Sequence, residues 1–350
     1  MIIVTGACGF VGFYLVNRLF DEGFDVLAAD IGGRDEEDFF RGRGIRFVRM
    51  DISDEKEFAK LPSEGVEAFV NLACVQPANM PDEKYDPAKY ISVNVLGVTH
   101  ILKFCRRNGI EKLVHTISHR NVQGLWENGE VITESSPRAI KFTGKFAMFS
   151  ISESAATDII QNFNEEYGMR CVILRLPSVY GFGHHESFFE GGKVVKTGLG
   201  VFIDNAIEGR PFEIWGNKDQ GRDVVYVKDV VNAILSALRS KSACGMYNIA
   251  SGRKLSLEEQ VRSVIRVFSQ GKKPEIVYRP EKPNSIAPCI YDISKAKREL
   301  GWEPRYSFED MLRDYKTEMS SGNMGFLLKR KHRMAAGEAV EDGASAGRTA

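Results

Sequence analysis

Strand-like and helix-like segments alternate through the first half of the chain. That alternation predicts an α/β protein built on a doubly wound parallel sheet, with a smaller α/β cap made by the C-terminal half. The opening segment, MIIVTGACGFVG, indicates how the sheet is used. Residues 2–5 are apolar and β-prone, Gly6, Gly9 and Gly12 fall at G-x-x-G-x-x-G spacing, and a helical apolar pattern follows through Leu15, Val16 and Leu19. Such a turn brings backbone against a pyrophosphate at a helix N-terminus, where free N–H groups and the positive dipole end stabilise it. A second strand, residues 25–29, runs into Asp30, where a carboxylate accepts ribose hydroxyls. Strand, glycines, helix, strand and acid together predict a Rossmann-like dinucleotide site. Asp30 favours NAD over NADP because a carboxylate repels a 2′-phosphate; Arg34 pulls the other way.

Further strands are predicted at residues 45–50, 68–73, 112–117 and 170–176, with helices at 94–108 and 146–167. After Tyr180 the regularity breaks. Residues 181–200, rich in glycine and aromatics and holding His184 and His185, read as a long functional loop or lid. Short strands follow at 212–215, 224–227, 246–250 and 276–278, with helices at 229–240, after Ser256 and from Ser294 and Ser307. Glu259 gives the helix after Ser256 a capping-box pattern. The expected organisation is a dinucleotide-binding domain over 1–176, its sheet completed by later segments, and a substrate-binding cap over 177–318. An unstructured tail is expected over 319–350, with a basic cluster at 329–333.

Composition narrows the classes of function. Hydrophobic residues make up 43% of the 350 and charged residues 27%, ordinary for a soluble globular chain. Lys+Arg and Asp+Glu are both 47, so no net charge argues for a nucleic-acid or anionic-membrane partner. No apolar run reaches transmembrane length, and the N-terminus, already a strand, lacks a signal-peptide shape. Six cysteines (8, 74, 105, 171, 244 and 289) show no C-x-x-C or metal-ligand spacing. Reduced, buried thiols in a cytoplasmic protein without a metal centre are expected.

Six segments in order resemble the extended short-chain dehydrogenase/reductase family, the NAD-dependent nucleotide-sugar epimerases and dehydratases, across residues 1–316. Thr5-Gly6-Ala7-Cys8-Gly9-Phe10-Val11-Gly12 matches the family's cofactor loop, and Asp51-Ile52 its acid-apolar pair beside the adenine. Asn71-Leu72-Ala73-Cys74 resembles "HLAA" with Asn for His. Arg175-Leu176-Pro177-Ser178-Val179-Tyr180-Gly181 resembles "RPxNVYG", and the segment from Arg222 to Val230 resembles "RDFVYVDDV". Tyr291-Asp292-Ile293-Ser294-Lys295, running on to Leu300-Gly301-Trp302-Glu303-Pro304, resembles the C-terminal signature. The resemblance implies an NAD site of Gly6, Gly9, Phe10, Val11, Gly12, Asp30, Asp51, Ile52, Leu72, Ala73 and Cys74. It implies a nucleotide-sugar substrate touched by Ser178, Arg222 and Lys282, and a homodimer through the helices at 94–108 and 146–167.

The family's chemistry rests on a Tyr-x-x-x-Lys pair on the helix before the sixth strand and a Ser or Thr after the fifth. Deprotonated Tyr takes a proton from a sugar hydroxyl while hydride passes to the nicotinamide; the Lys holds the nicotinamide ribose and lowers the Tyr pKa. Counting back from Arg175 without a gap, Phe149-Ser150-Ile151-Ser152-Glu153 falls on the family's "YGASK", so Phe149 stands for the Tyr and Glu153 for the Lys. Val114-His115-Thr116-Ile117-Ser118-His119 covers "VYTSSS", which puts His119 at the hydroxyl position and Ser118 just before it. The usual Asn is Ser178, the usual Arg is Lys282 and the Asp after it is Ser285, while Arg222 is retained. Literal Tyr-x-x-x-Lys pairs occur at Tyr85/Lys89, Tyr278/Lys282 and Tyr291/Lys295; none is on the required helix, and all are set aside.

His119, with an unperturbed pKa near neutrality, is the candidate acid/base. Glu153 lies one turn after Phe149 on the same face; it is placed to accept ribose hydroxyls and to favour the cationic oxidised nicotinamide. The competing readings are a His119 that only hydrogen-bonds in the cleft and a solvated Glu153. Lys141 and Lys145 read as solvated, His184 and His185 as surface residues, and Cys74 as a packing residue. The leading expectation is an NAD(H)-dependent nucleotide-sugar-modifying enzyme with Phe149 and Glu153 in place of the usual pair. The alternatives are a catalytically silent NAD-binding sensor or partner protein, and a keto-sugar reductase or dehydrogenase using His119.

Overall fold

Seven strands, β1 (Ile2–Thr5), β2 (Val26–Asp30), β3 (Arg46–Arg49), β4 (Ala68–Asn71), β5 (Lys112–Ser118), β6 (Arg170–Leu176) and β7 (Gly245–Asn248), form one sheet. The structure is a computed structural model and describes residues 1–126, 128–284, 288–322 and 324–328. Strand order is β3-β2-β1-β4-β5-β6-β7 and every pairing is parallel. Chain direction across the sheet reverses between β1 and β4, and the crevice at their C-terminal ends is where ligands of such sheets bind.

Nine helices serve the description: α1 (Phe10–Asp21), α2 (Arg34–Gly42), α3 (Val98–Arg107), α4 (Ala147–Tyr167), α5 (Gly198–Glu208), α6 (Val227–Arg239), α7 (Leu257–Phe268), α8 (Ser294–Leu300) and α9 (Phe308–Ser321). Strand residues are apolar on both faces because helices cover both. Ile2 and Val4 join a core with α1 and α6, whereas Ile3 joins the opposite core with α3 and α4. Tyr90–Gly97, a π-wound segment, leads directly into α3. The expected helix at 94–108 is therefore the second part of a longer one.

The cap is built from α5, α7 and short strand pairs. Phe212–Trp215 pairs with Ile276–Arg279, Ser178–Tyr180 with Val224–Tyr226, and Gly221–Arg222 with Leu255–Ser256. The Ser256/Glu259 capping box at the start of α7 is formed in both directions. β7 lies beside β6, so the strand expected at 246–250 completes the main sheet.

Two expectations are corrected. Residues 181–200 are not a long loop: Ser187–Glu190 and Lys193–Lys196 pair as an antiparallel hairpin, and α5 starts at Gly198. Gly191 and Gly192 hold φ of 56° and 73°, the geometry of a tight hairpin turn, and the flanking aromatic and β-branched residues suit strands. Nor does order end at Met319. α9 runs to Ser321, Phe326 packs on Phe13 and Phe39, and Leu327 is buried, because these apolar side chains have a core to join. Residues 329–350, with the basic cluster, lie outside the described residues, as does Ser285.

Candidate active site

The glycine loop closes on itself and on the end of β4. Gly6 sits at φ +74°, and a Cβ there would lie 2.5 Å from the Ala73 nitrogen and the Leu72 carbonyl carbon. A Cβ on Gly12 would meet the Gly6 oxygen at 2.0 Å. No side chain fits at either position, so backbone alone lines the cradle where α1 begins. Phe10 turns its ring into the protein, 4.5 Å from the His185 ring, so Phe10 and Val11 offer backbone N–H groups at the helix N-terminus. Asp30 accepts the Cys8 N–H (2.9 Å) and the Gly32 N–H (3.3 Å), which fixes its carboxylate at the tip of β2. Asp51 is exposed beyond β3, with Ile52 buried beneath it.

Asn71 explains itself through its neighbours. Its oxygen accepts from Thr5 Oγ1 (2.8 Å) and from the Ala73 N–H (3.1 Å), and its Nδ2 donates to His115 Nδ1 (3.0 Å). Burial lowers His115 to about 4, so it stays neutral and able to accept. Asn94 then pins the following segment: it accepts the Val75 N–H and donates to the Val75 carbonyl and to Ser152 Oγ on α4. These bonds hold residues 72–75 against the glycine loop.

At the C-terminal edge of β5 the structure brings Ser118, His119, Phe149 and Glu153 together. Glu153 is 5% exposed and its Oε2 accepts the Ser118 N–H at 2.9 Å, which excludes the solvated reading. Burial raises its pKa to about 8, against the opposing pull of the Ser118 N–H and the Arg120 guanidinium. Phe149 is buried edge-on to Phe146 and has no proton to exchange. His119 is buried with its ring 4.5 Å from the Trp126 ring and its Nδ1 2.7 Å from Tyr291 Oη. Tyr291 Oη also accepts from Trp126 Nε1 (3.2 Å), and its hydroxyl shares a hydrogen bond with the Cys289 thiol. An Nδ1–H donating to Tyr291 Oη completes that set and leaves Nε2 as the acceptor of the ring. Burial, followed by the guanidinium groups of Arg120, Arg222 and Arg175, pushes His119 well below its ordinary value.

The guanidinium carbon of Arg120 lies 3.5 Å over the centre of the Phe146 ring, and the group donates to Gln123 Oε1 at 3.2 Å. Arg222 donates to Tyr180 Oη (3.2 Å), and its buried Nε–H has no partner among the described residues. Ser178 starts the short strand that carries Tyr180. Cys74 is exposed as a residue, and desolvation at its sulfur, then the Glu153 carboxyl, push the thiol up to about 12. The expectation of buried thiols holds for Cys8, Cys105, Cys171 and Cys289, whereas Cys74 and Cys244 are exposed; among the described residues no disulfide joins any of the six. Lys282 stands apart, ion-paired to Glu213 at 2.7 Å and lying over the Trp215 ring. Lys145 donates to the Phe189 carbonyl, Lys141 is exposed, and the side chain of His184 lies outside the described set.

Comparison with known proteins agrees with this geometry. The profile of the NAD dependent epimerase/dehydratase family matches residues 2–250. The chain belongs to that family. A putative UDP-glucose 4-epimerase of Methanocaldococcus jannaschii is 28% identical over 92% of this chain and 99% of its own length. The solved UDP-glucose 4-epimerase of Thermotoga maritima, with UDP-glucose, superposes with a TM-score of 0.72 at 25% identity, covering 91% of this chain and 99% of that one. The Thermus thermophilus UDP-glucose 4-epimerase, in complex with NAD, gives a TM-score of 0.70 at 25% identity over 92% and 99% of the two chains.

The family is NAD-dependent, and the residues present fit that cofactor: the cradle that a Cβ would fill, the free N–H groups of α1 and the fixed carboxylate of Asp30. Among the described residues, no helix is long and apolar enough to cross a membrane. Sequence reasoning misses three members of the site. Arg120 directly follows His119, the only signal it offers. Tyr291 belongs to a pair set aside with Lys295, and that lysine does turn away, to the Met246 carbonyl and the Tyr247 ring. The tyrosine itself reaches His119, together with Trp126.

Proposed function

We propose that this chain catalyses NAD-dependent oxidoreduction at a hydroxyl-bearing carbon of a nucleotide-linked sugar, as an epimerase, dehydratase or related enzyme, with His119 as its acid/base. The observation that carries this reading is the clamped imidazole: Tyr291, against Nδ1, and Trp126 fix it at the end of β5, and an Nδ1–H donated to Tyr291 gives Nε2 the acceptor role. NAD, when bound, supplies the hydride acceptor and donor. His119 Nε2 takes the hydroxyl proton as the C–H hydride leaves, and the carbon becomes a ketone; return of both completes the cycle. Glu153, carrying its proton near neutral pH, both donates and accepts hydrogen bonds and so holds the nicotinamide ribose in place of the family's lysine. Arg222, whose buried Nε–H has no partner among the described residues, binds the diphosphate, and Ser178 pairs with Val224, two residues further along the same segment. Lys282 joins them only by releasing Glu213.

Assembly as a homodimer is part of the proposal. Ile91 and Leu96, 40% and 47% exposed before α3, and Tyr167, 43% exposed at the end of α4, offer apolar area for a helix-bundle contact. Six cysteines with no disulfide among the described residues suit a cytoplasmic setting. A second reading, an NAD-binding sensor without turnover, is favoured by one observation: Phe149 carries no exchangeable proton. The deciding experiment releases and identifies the bound cofactor. It then follows 340 nm absorbance and product masses with UDP-, GDP-, CDP- and dTDP-sugars. Hydride transfer or a new sugar that is lost in His119→Ala supports catalysis. Sugar binding with no change in cofactor or sugar supports the sensor, and turnover intact in His119→Ala refutes the role given to that residue.

A further inference from the structure

The guanidinium groups of Arg120, Arg175 and Arg222 all bear on His119, and their partners differ. Arg175 is committed to structure: Nε donates to Asn248 Oδ1 (2.7 Å), Nη2 donates to the Thr133 carbonyl (2.5 Å), and the Glu134 carboxylate acts on it. Arg222 is assigned above to the diphosphate. Arg120 is left over. It is held between the Phe146 ring, 3.5 Å from the guanidinium carbon, and the Trp126 ring at 5.7 Å, so the guanidinium cannot swing out to solvent without losing both contacts. Among the described residues one hydrogen bond holds it by its side chain, to Gln123 Oε1. Among the described residues no carboxylate forms an ion pair with it. Glu153, the carboxyl that acts on it when ionised, carries its proton near neutral pH and is engaged by the Ser118 N–H.

A half-buried guanidinium over an aromatic ring, with unused donors and no ion pair among the described residues, is an expensive arrangement for a protein to keep unless a ligand brings the anion. Its planar fork matches a carboxylate, which it binds through two parallel hydrogen bonds. Position narrows the ligand further. Arg120 follows His119 on the same helical turn, His119–Leu125, whereas Arg222 approaches from the cap. The sugar hydroxyl that meets His119 therefore brings its own ring, not its diphosphate, beside Arg120. We infer that the substrate is a nucleotide-linked sugar acid and that Arg120 reads the ring carboxylate. The inference rests on the nucleotide-sugar reading above and adds the class of sugar.

Calorimetric titration of the full chain, loaded with NAD, tests it. Nucleoside diphosphates (UDP, GDP, CDP, dTDP) are titrated first to find the base that binds. The matched hexose and uronic acid on that base, glucose and glucuronate, are then compared in the wild type, Arg120→Gln and Arg120→Lys. The expected result is a wild-type preference for the uronate of about tenfold or more, falling to less than about threefold in Arg120→Gln and partly restored by the cation of Arg120→Lys. Circular dichroism and NAD binding of each variant establish that it is folded. Equal wild-type affinity for hexose and uronate overturns the inference alone, as does a preference that survives Arg120→Gln. Failure of every nucleoside diphosphate to bind overturns the nucleotide-sugar reading and the sugar-acid inference with it.

Discussion

Replacing Glu153 by Gln isolates the buried carboxyl from the rest of the site. The amide oxygen still accepts the Ser118 N–H, so the local hydrogen bond survives while the titration is removed. Burial raises the Glu153 pKa from 4.5 to about 8. A carboxyl with a raised pKa keeps its proton in the fold and loses it in the unfolded chain. Its cost is therefore absent below about pH 4.5, grows up to about pH 8 and is constant above. At about 1.36 kcal/mol per pH unit, the cost grows by about 3 kcal/mol between pH 5 and pH 8. Unfolding entropy of about 2.1 cal/mol/K per residue converts that into roughly 4 °C for a chain of this length. Thermal melts of the two apoproteins across this interval are the assay. Glu153→Gln should gain on the wild type by roughly 4 °C as the pH rises, whatever constant offset separates them. Parallel curves would refute the reasoning. They would mean that Arg120 neutralises an ionised Glu153, which would also remove the case for an anion-seeking Arg120.

The other substitutions probe the cradle and the clamp. Gly12→Ala forces a Cβ to within 2.0 Å of the Gly6 oxygen, a backbone atom with nowhere to move. NAD should then no longer raise the melting temperature, where in the wild type a hundredfold excess over Kd is worth about 2.7 kcal/mol; an undiminished shift would refute the assigned cradle. Tyr291→Phe keeps the packing beside Trp126 and deletes the hydroxyl that holds Nδ1 of His119. Turnover should fall by about tenfold to a hundredfold in kcat with KM little changed, since Tyr291 positions the base without touching substrate. A rise in KM at constant kcat would point to a binding role instead.

What was legible in the sequence was local. The first strand, the glycine spacing, α1 and Asp30 lie within one short βαβ unit, and their order in sequence is their order in space. Counting along α4 likewise put Phe149 and Glu153 one turn apart on the same helix, because a helix preserves spacing. Burial of Glu153 was not legible: a carboxylate on a helix is usually solvated, and only the packing of α4 on β5 removes it from water. The clamp on His119 joins residues 172 apart in sequence, and no local pattern announces such a pair. β7 was visible as a strand but not as the seventh of the main sheet, since alternation reports a face and not a neighbour. The apolar side chains of Phe326 and Leu327 have no period of their own and acquire meaning only from the core they enter.

The charges around His119 lead to a consequence for its chemistry. In the free protein, burial and the guanidinium groups of Arg120, Arg222 and Arg175 hold the imidazole neutral and make it a reluctant base; Tyr291, facing Nδ1, carries no charge near neutral pH because burial pushes its phenol above its ordinary value. A diphosphate on Arg222 and a ring carboxylate on Arg120 would screen two of those three cations. Substrate binding then raises the imidazole pKa, and the base becomes stronger only when its substrate is present. The pH profiles carry the sign. The acid limb of kcat/KM reports the free enzyme and should fall off well below pH 6.5, whereas the acid limb of kcat, set by the complex, should lie at higher pH. The separation should shrink in Arg120→Gln, where one of the two screened charges is already gone. Coincident acid limbs in the wild type would mean that the guanidinium groups do not set the His119 pKa. Burial alone would then be the cause, and it would act equally in the free and bound states.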